Sequence, residues 1–193
     1  MKVGVLALQG AFREHAEALD ALGADVALVR VPEQLAGVDA IVLPGGESTT
    51  QDKLLDTSEL RAPLSDALSG GMPCLATCAG LILLATEVLD GRADQRPLGL
   101  VDVSVRRNGY GRQVMSFEAP LTVAGLDAPF PGVFIRAPRI ERVGTERGGA
   151  VTVLAEHEGV AVLVQSGAIT GACFHPELAG DLRLHERFLS QVR

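Results

Sequence analysis

The chain has 193 residues, 47% of them apolar and 21% charged, an ordinary globular composition that excludes a disordered chain and fits one domain with a full hydrophobic core. A formal net charge of −7 argues against a general nucleic-acid or anionic-membrane binder.

In chain order, Val3–Leu8 is a continuous apolar run, as expected of a strand buried on both faces. Gln9-Gly10 makes a turn, and Ala11–Leu22 carries apolar residues at helical spacing up to Gly23, a plausible C-terminal cap. Val26–Val31 reads as a second strand stopped by Pro32, and Val38–Leu43 as a third stopped by Pro44. Strand, helix, strand in that order predicts a parallel sheet with right-handed crossovers, and ligands in such sheets sit at the carboxyl ends of the strands. Two loops fall at those ends: Gln9-Gly10, and Pro44-Gly45-Gly46-Glu47-Ser48-Thr49-Thr50. Helical patterns follow over Gln51–Asp56 and Ser58–Leu68.

The stretch from Pro73 to Ala85 reads as a short buried strand that turns without a loop into an apolar helix, with Cys78 at the corner. Such a corner pushes its side chain out of the sheet and suits a nucleophile, provided that its neighbours are small. Ala76 and Gly80, two residues to either side, meet that need. The following helix directs its N–H groups and positive dipole end at the sulfur. Equally, this stretch alone describes a buried structural cysteine.

From Leu98 to Gly171 the pattern changes to short β-branched runs, Leu100–Val105, Val133–Arg136, Val151–Ala155 and Val160–Gln165, read as antiparallel hairpins within the same domain. The chain closes with a strand over Ala168–Phe174, then His175-Pro176-Glu177, then a helix over about Asp181–Val192. The predicted fold is α/β: a three-layer, open, mostly parallel sheet with helices on both faces and an antiparallel hairpin extension, forming one domain over residues 1–193.

Three cysteines, Cys74, Cys78 and Cys173, are an odd number without zinc-site spacing, so neither a disulfide framework nor a structural metal is expected. Cys74 and Cys173 read as packing. The apolar run after Met1 is too short for a secretory signal and no segment approaches a membrane span, so a soluble cytoplasmic protein is expected.

A cysteine nucleophile needs a base and a group to orient that base. Of the four histidines, His15, His157 and His185 read as surface or helix-face residues. His175 follows an apolar strand at the edge where Cys78 emerges, and Glu177 stands two residues on across a rigid proline. Such an imidazole takes the thiol proton and later delivers it to a leaving amine, although His-Pro-Glu also suits a plain strand-ending turn. The Ala79 N–H and the Gly45-Gly46 loop are candidate oxyanion donors, since glycine lets the backbone approach closely. A phosphate cradle is disfavoured, because the loop has no Walker-type lysine. Arg106, Arg107, Arg112, Arg136, Arg139 and Arg142 gather locally, which suits a small anionic ligand or, equally, a solvated rim.

On the motifs Gly45-Gly46-Glu47-Ser48-Thr49-Thr50, Ala76-Thr77-Cys78-Ala79-Gly80-Leu81 and Phe174-His175-Pro176-Glu177, the chain resembles the triad (class I) glutamine amidotransferases, and within them the glutaminase subunits of pyridoxal 5'-phosphate synthase. Gly4 to Ala11, Arg13-Glu14-His15, Gly111-Arg112-Gln113, Ser116-Phe117-Glu118 and Val133 to Pro138 extend the likeness over nearly the whole chain. The chain departs from the pattern at Ala76, where glycine is usual, and at Met115, where an acidic residue is usual.

The resemblance implies Cys78 as nucleophile, His175 as base and acid, and Glu177 as its orienting carboxylate. It implies Gly46 and Ala79 at the oxyanion hole, and glutamine contacts at Gly46, Glu47, Ser48, Arg107, Ile135 and Arg136. No cofactor is implied. The implied reaction is hydrolysis of L-glutamine to glutamate and ammonia. The domain fills the chain, so a separate synthase is expected to consume the ammonia. For the family this is a (β/α)8-barrel subunit in a large hetero-oligomer, whose docking organises the oxyanion loop. Other readings are a glutaminase for another synthase, such as imidazole glycerol phosphate synthase, a non-catalytic regulatory subunit, and a cysteine hydrolase or stress protein on a related fold.

Overall fold

The computed structural model describes residues 1–110, 116–144 and 150–192. Gly111, Arg112, Gln113 and Met115 lie outside the described residues. The first half of the chain runs β1 (Lys2–Leu6), α1 (Phe12–Ala21), β2 (Asp25–Val29), α2 (Pro32–Leu35), β3 (Ala40–Leu43), α3 (Ser48–Thr57), α4 (Arg61–Ser69), β4 (Cys74–Thr77) and α5 (Ala79–Leu84). The second half runs β5 (Ala85–Val88), β6 (Val101–Arg106), β7 (Phe117–Leu121), β8 (Phe130–Phe134), β9 (Arg139–Val143), β10 (Thr152–His157), β11 (Val160–Ser166), β12 (Ile169–Ala172), a 3-10 turn at Pro176–Leu178, and α6 (Arg183–Leu189).

The central sheet has seven strands in the order β10-β11-β12-β4-β3-β1-β2. Strands β2, β1, β3, β4 and β12 are parallel, and β11 and β10 continue the sheet antiparallel. Every residue of β3, β4 and β12 is buried, which is why these strands read as continuous apolar runs rather than alternations.

Alternate residues serve opposite faces. Val3, Val5, Ala40, Val42 and Leu75 pack with Leu19 of α1 and Phe188 of α6. Leu6, Ile41, Leu43, Cys74 and Ala76 pack on the other side with Leu55 of α3, Leu64 of α4 and Leu81 of α5. Helices therefore cover both faces, and the three-layer expectation holds. Removing one of the fully buried leucines, such as Leu55 or Leu64, to alanine costs about 2–5 kcal/mol.

Four details differ from the sequence reading. Pro32 ends a strand as expected but also opens the short helix α2, because its fixed φ and missing N–H suit a first helical position. The helix after Cys78 stops at Leu84, and Ala85 to Val88 form a strand paired in parallel with β6, so the Leu100–Val105 run has a parallel neighbour on one side and the antiparallel β9 on the other. Strand β7 lacks β-branched residues and carries a proline, which hid it from the sequence reading. The Val133–Arg136 run is displaced: the strand is Phe130–Phe134, and Arg136 bends away with φ +47°.

Topology places the loops. After β1 the chain goes to β2 on one side and to β3 on the other, so a crevice opens at their carboxyl ends, at a topological switch point. Strand β4 lies beside β3, and β12 beside β4, with Leu43 level with Ala76 and Thr77 level with Ala172. The segments after β1, β3, β4 and β12 thus leave one sheet edge together. Among the described residues, no helix is long and apolar enough to cross a membrane.

Candidate active site

Cys78 sits where β4 becomes α5, with φ +48° and ψ −103°. A side-chain-bearing residue at positive φ is strained, and such strain persists only where the surroundings impose it. Here the Cys78 N–H donates to the Ala172 carbonyl at 2.8 Å, which fixes the corner to β12. At Gly80 a Cβ would overlap the Leu43 carbonyl oxygen, so only glycine lets α5 start this close to β3. The small neighbours predicted around the corner have this packing cause.

His175 lies beside Cys78, its backbone N–H held by the Val133 carbonyl at 2.8 Å. The 3-10 turn after it folds Glu177 back, so that Glu177 Oε1 meets His175 Nδ1 at 2.7 Å. The carboxylate is wholly buried. Burial works against the charged imidazole, but hydrogen bonding and charge from Cys78 and Glu177 prevail and raise the His175 pKa to about 10. Burial likewise opposes the Glu177 carboxylate, yet the neighbouring His15 and His175 hold its pKa well below the usual range. In Cys74 and Cys173, wholly buried elsewhere in the sheet, burial pushes the thiol pKa up, which suits packing rather than chemistry.

A cavity of about 310 Å³ opens beside Cys78 and His175, at the small end of ligand sites and suited to an amino-acid-sized molecule. Of the residues singled out in the sequence, Gly46, Glu47, Ser48, Arg107, Ile135 and Arg136 line it with Cys78 and His175. Ala79 and Glu177 do not: Ala79 is buried at the first turn of α5, and Glu177 stands behind His175. Three lining residues escaped the sequence reading. Ile82 lies one helical turn beyond Cys78, Asn108 follows Arg107 at positive φ, and Gln9 ends the β1 loop. Gln9 had a signal, because its loop was expected at this edge.

The Gly45–Glu47 loop is held in place from several sides. Gly45 N–H donates to Thr77 Oγ1 at 3.0 Å, and the Gly45 carbonyl accepts from Ala11 N–H at 3.0 Å. Glu47 N–H donates to Gln9 Oε1 at 2.8 Å, while Gln51 Nε2 donates to the Gln9 and Pro44 carbonyls at 3.1 Å each. Among the described residues, the N–H of Gly46 has no hydrogen-bond partner, and it lies between these two engaged groups.

The Glu47 carboxylate turns toward α3 and caps it, accepting from Thr50 N–H at 2.7 Å and Thr49 N–H at 3.2 Å. Burial acts against its charge, but the hydrogen bonds from Thr49 and Thr50 lower its pKa to about 2. Arg107 Nη2 reaches the same carboxylate at 3.0 Å.

Two open readings are narrowed by the structure. The arginines do not converge on one ligand: Arg106 pairs with Glu141 at 3.1 Å and Arg142 with Asp102 at 2.6 Å, both on the β6–β9 sheet, leaving Arg107 and Arg136 at the cavity. Arg112 lies outside the described residues. The other concerns His15 and His185, read as surface or helix-face residues: both lie on helix faces, and both are buried, each being 0% exposed. His15 shares the inward stripe of α1 with Ala18 and Leu19, and His185 shares that of α6 with Leu184 and Phe188. Their ring nitrogens meet at 3.0 Å, which makes burial tolerable. His157 ends β10 against the rings of Phe117 and Phe134.

The fold is that of the class I glutamine amidotransferases: a crystal structure described as a glutamine amidotransferase superposes with a TM-score of 0.90 at 46% identity, covering 98% of each chain. The chain belongs to the SNO glutamine amidotransferase family, which matches residues 5–193. It is 53% identical over 194 residues to the pyridoxal 5'-phosphate synthase subunit PdxT of Salinispora arenicola, covering 99% of this chain and 96% of that protein. It is also 53% identical over 192 residues to PdxT of Deinococcus radiodurans, covering 98% and 96%.

Proposed function

We propose that this chain is the glutaminase of a pyridoxal 5'-phosphate synthase, hydrolysing L-glutamine to L-glutamate and ammonia through Cys78, His175 and Glu177. The observation that carries the reading is the strained Cys78 corner beside the His175–Glu177 pair, opening on a cavity of amino-acid size. Whole-chain identity near one half to proteins named as subunits of this synthase supports the pathway.

The chemistry follows from the placement. With Nδ1 engaged by Glu177, Nε2 of His175 is the nitrogen that takes the Cys78 proton. The raised pKa of His175 keeps that proton on the ring until it is needed. The sulfur attacks the side-chain amide carbon, and the negative charge that develops on oxygen is met by the N–H groups of Gly46 and Ala79. His175 then gives its proton to the amide nitrogen, the C–N bond breaks, ammonia leaves, and a glutamyl thioester remains. Water, losing a proton to the same His175, attacks the thioester and releases glutamate and the thiol. Arg107 and Arg136, at the cavity, supply positive charge for the α-carboxylate of glutamine. The side chain of Glu47 orients Arg107 and caps α3, so its part in binding is to fix the wall.

Ammonia passes to a separate (β/α)8-barrel synthase subunit within a large hetero-oligomer in the cytoplasm. Cys78→Ala tests the chemistry: glutamate release from glutamine should vanish while thermal unfolding stays cooperative. Retained turnover in that variant would remove Cys78 from its role.

A further inference from the structure

Glu177 has two carboxylate oxygens, and the triad reading uses only one. Oε1 is taken by His175. Among the described residues, Oε2 is buried with no aligned hydrogen-bond donor, and His15 Nε2 stands 3.2 Å from it. Both side chains are 0% exposed. His15 Nε2 is also 3.1 Å from Thr77 Oγ1, and its Nδ1 is 3.0 Å from His185 Nε2.

One tautomer fits these contacts. A lone pair of His15 Nε2 facing the carboxylate would repel it, so Nε2 carries the hydrogen. Nδ1 is then an acceptor and takes the Nε2–H of His185. The far nitrogen of His185, Nδ1, has no hydrogen-bond partner among the described residues, which is tolerable for a bare lone pair and costly for an N–H. These groups do not form a set that could hold a metal ion.

We propose that His15, its tautomer fixed by His185 behind it, is a positioning residue that holds Glu177 in place through Oε2. The proposal rests on the triad reading above. Its physical reason lies in the catalytic cycle: His175 is cationic after taking the thiol proton and neutral after giving it to ammonia. A buried carboxylate that lost its only charged partner at that step would have cause to turn. A second N–H, on a residue outside the proton transfers of the reaction, keeps Oε1 aimed at Nδ1. His15 Nε2 also touches Thr77 Oγ1, which itself accepts the Gly45 N–H and so is held independently of His15.

Two amide substitutions separate this role from ordinary packing. Asparagine places its N–H near the His15 Nδ1 position and withdraws from Glu177, whereas glutamine reaches the Nε2 position. Assayed as the complex with the synthase subunit, His15→Asn should lower glutaminase kcat by on the order of tenfold, as expected for losing a close polar contact to a buried carboxylate, with KM unchanged. His15→Gln should keep kcat within about threefold of wild type. In a Glu177→Gln background, His15→Asn should cause no further loss, because its effect passes through that carboxylate. Equal kcat for the two amides, or a loss that adds fully in the Glu177→Gln background, overturns the proposal and leaves the triad standing. Wild-type kcat in Glu177→Gln alone overturns the triad reading and the proposal together.

Discussion

Replacing Gly45 with alanine would put a methyl carbon in overlap with His175 Cε1, 2.9 Å from Nδ1 and 3.3 Å from Cys78 Cβ. The backbone there cannot easily retreat, because its N–H is bonded to Thr77 Oγ1 and its carbonyl to Ala11 N–H, each at 3.0 Å. The imidazole must give instead, and carbon contacts of about 3.5–4.0 Å require a shift of about 1 Å. That shift strains the 2.7 Å bond to Glu177 and misaims Nε2. A misplacement of about 1 Å costs on the order of 10²-fold in rate, or about 2.7 kcal/mol on the barrier. Overpacking adds a stability cost of about 1–3 kcal/mol. The assay is glutamate release by the complex with the synthase subunit, with kcat and KM separated and Tm measured alongside. Gly37→Ala is the control, since its Cβ would meet nothing nearer than 3.9 Å. A Gly45→Ala enzyme that folds and keeps kcat within about twofold of wild type would refute the assigned place of His175.

Further consequences concern the elbow, the cap and the buried histidine pair. Cys78→Gly should be more stable than Cys78→Ala by about 1 kcal/mol in urea unfolding, because glycine relieves the strain at φ +48°; equal stability would mean the corner is unstrained. Glu47→Ala should cost about 1 kcal/mol through loss of the α3 cap. Because the Glu47 pKa is lowered from 4.5 to about 2, its stabilisation is present above about pH 4.5 and fades as pH falls toward 2, so Glu47→Gln should flatten that acid limb. Burial pushes His185 from 6.5 to about 4. The unfolded chain takes up that proton at higher pH than the folded one, so stability is fully present above about 6.5 and is lost as pH falls through 4. His185→Gln should show a shallower loss across that window in denaturant titrations.

The residues assigned the chemistry were legible because each stands at a strand end. Apolar runs mark β1, β3, β4 and β12, and in a parallel sheet the segments that follow them share an edge. Cys78 and His-Pro-Glu were therefore locatable from the chain, and local stereochemistry required Gly80 beside the corner. His15 and His185 were not legible as core residues. A histidine in an inward stripe looks the same in sequence as one at its margin, and only the pairing across 170 positions shows that each satisfies the other. The arginines misled for a related reason: neighbours in sequence around β6 and β9 alternate between faces, so Arg106 and Arg107 point to different partners. Glu47 was placed at the cavity by its loop, but its side-chain direction depends on the N–H groups of Thr49 and Thr50, which appear only once α3 is formed.

The most direct test of the central claim is glutamate release from glutamine by the purified chain, alone and with the synthase subunit added. The account predicts low activity alone, stimulation by the synthase subunit, and no activity in Cys78→Ala under either condition. Turnover that persists in Cys78→Ala, or no glutamate release even with the synthase subunit bound, would contradict it.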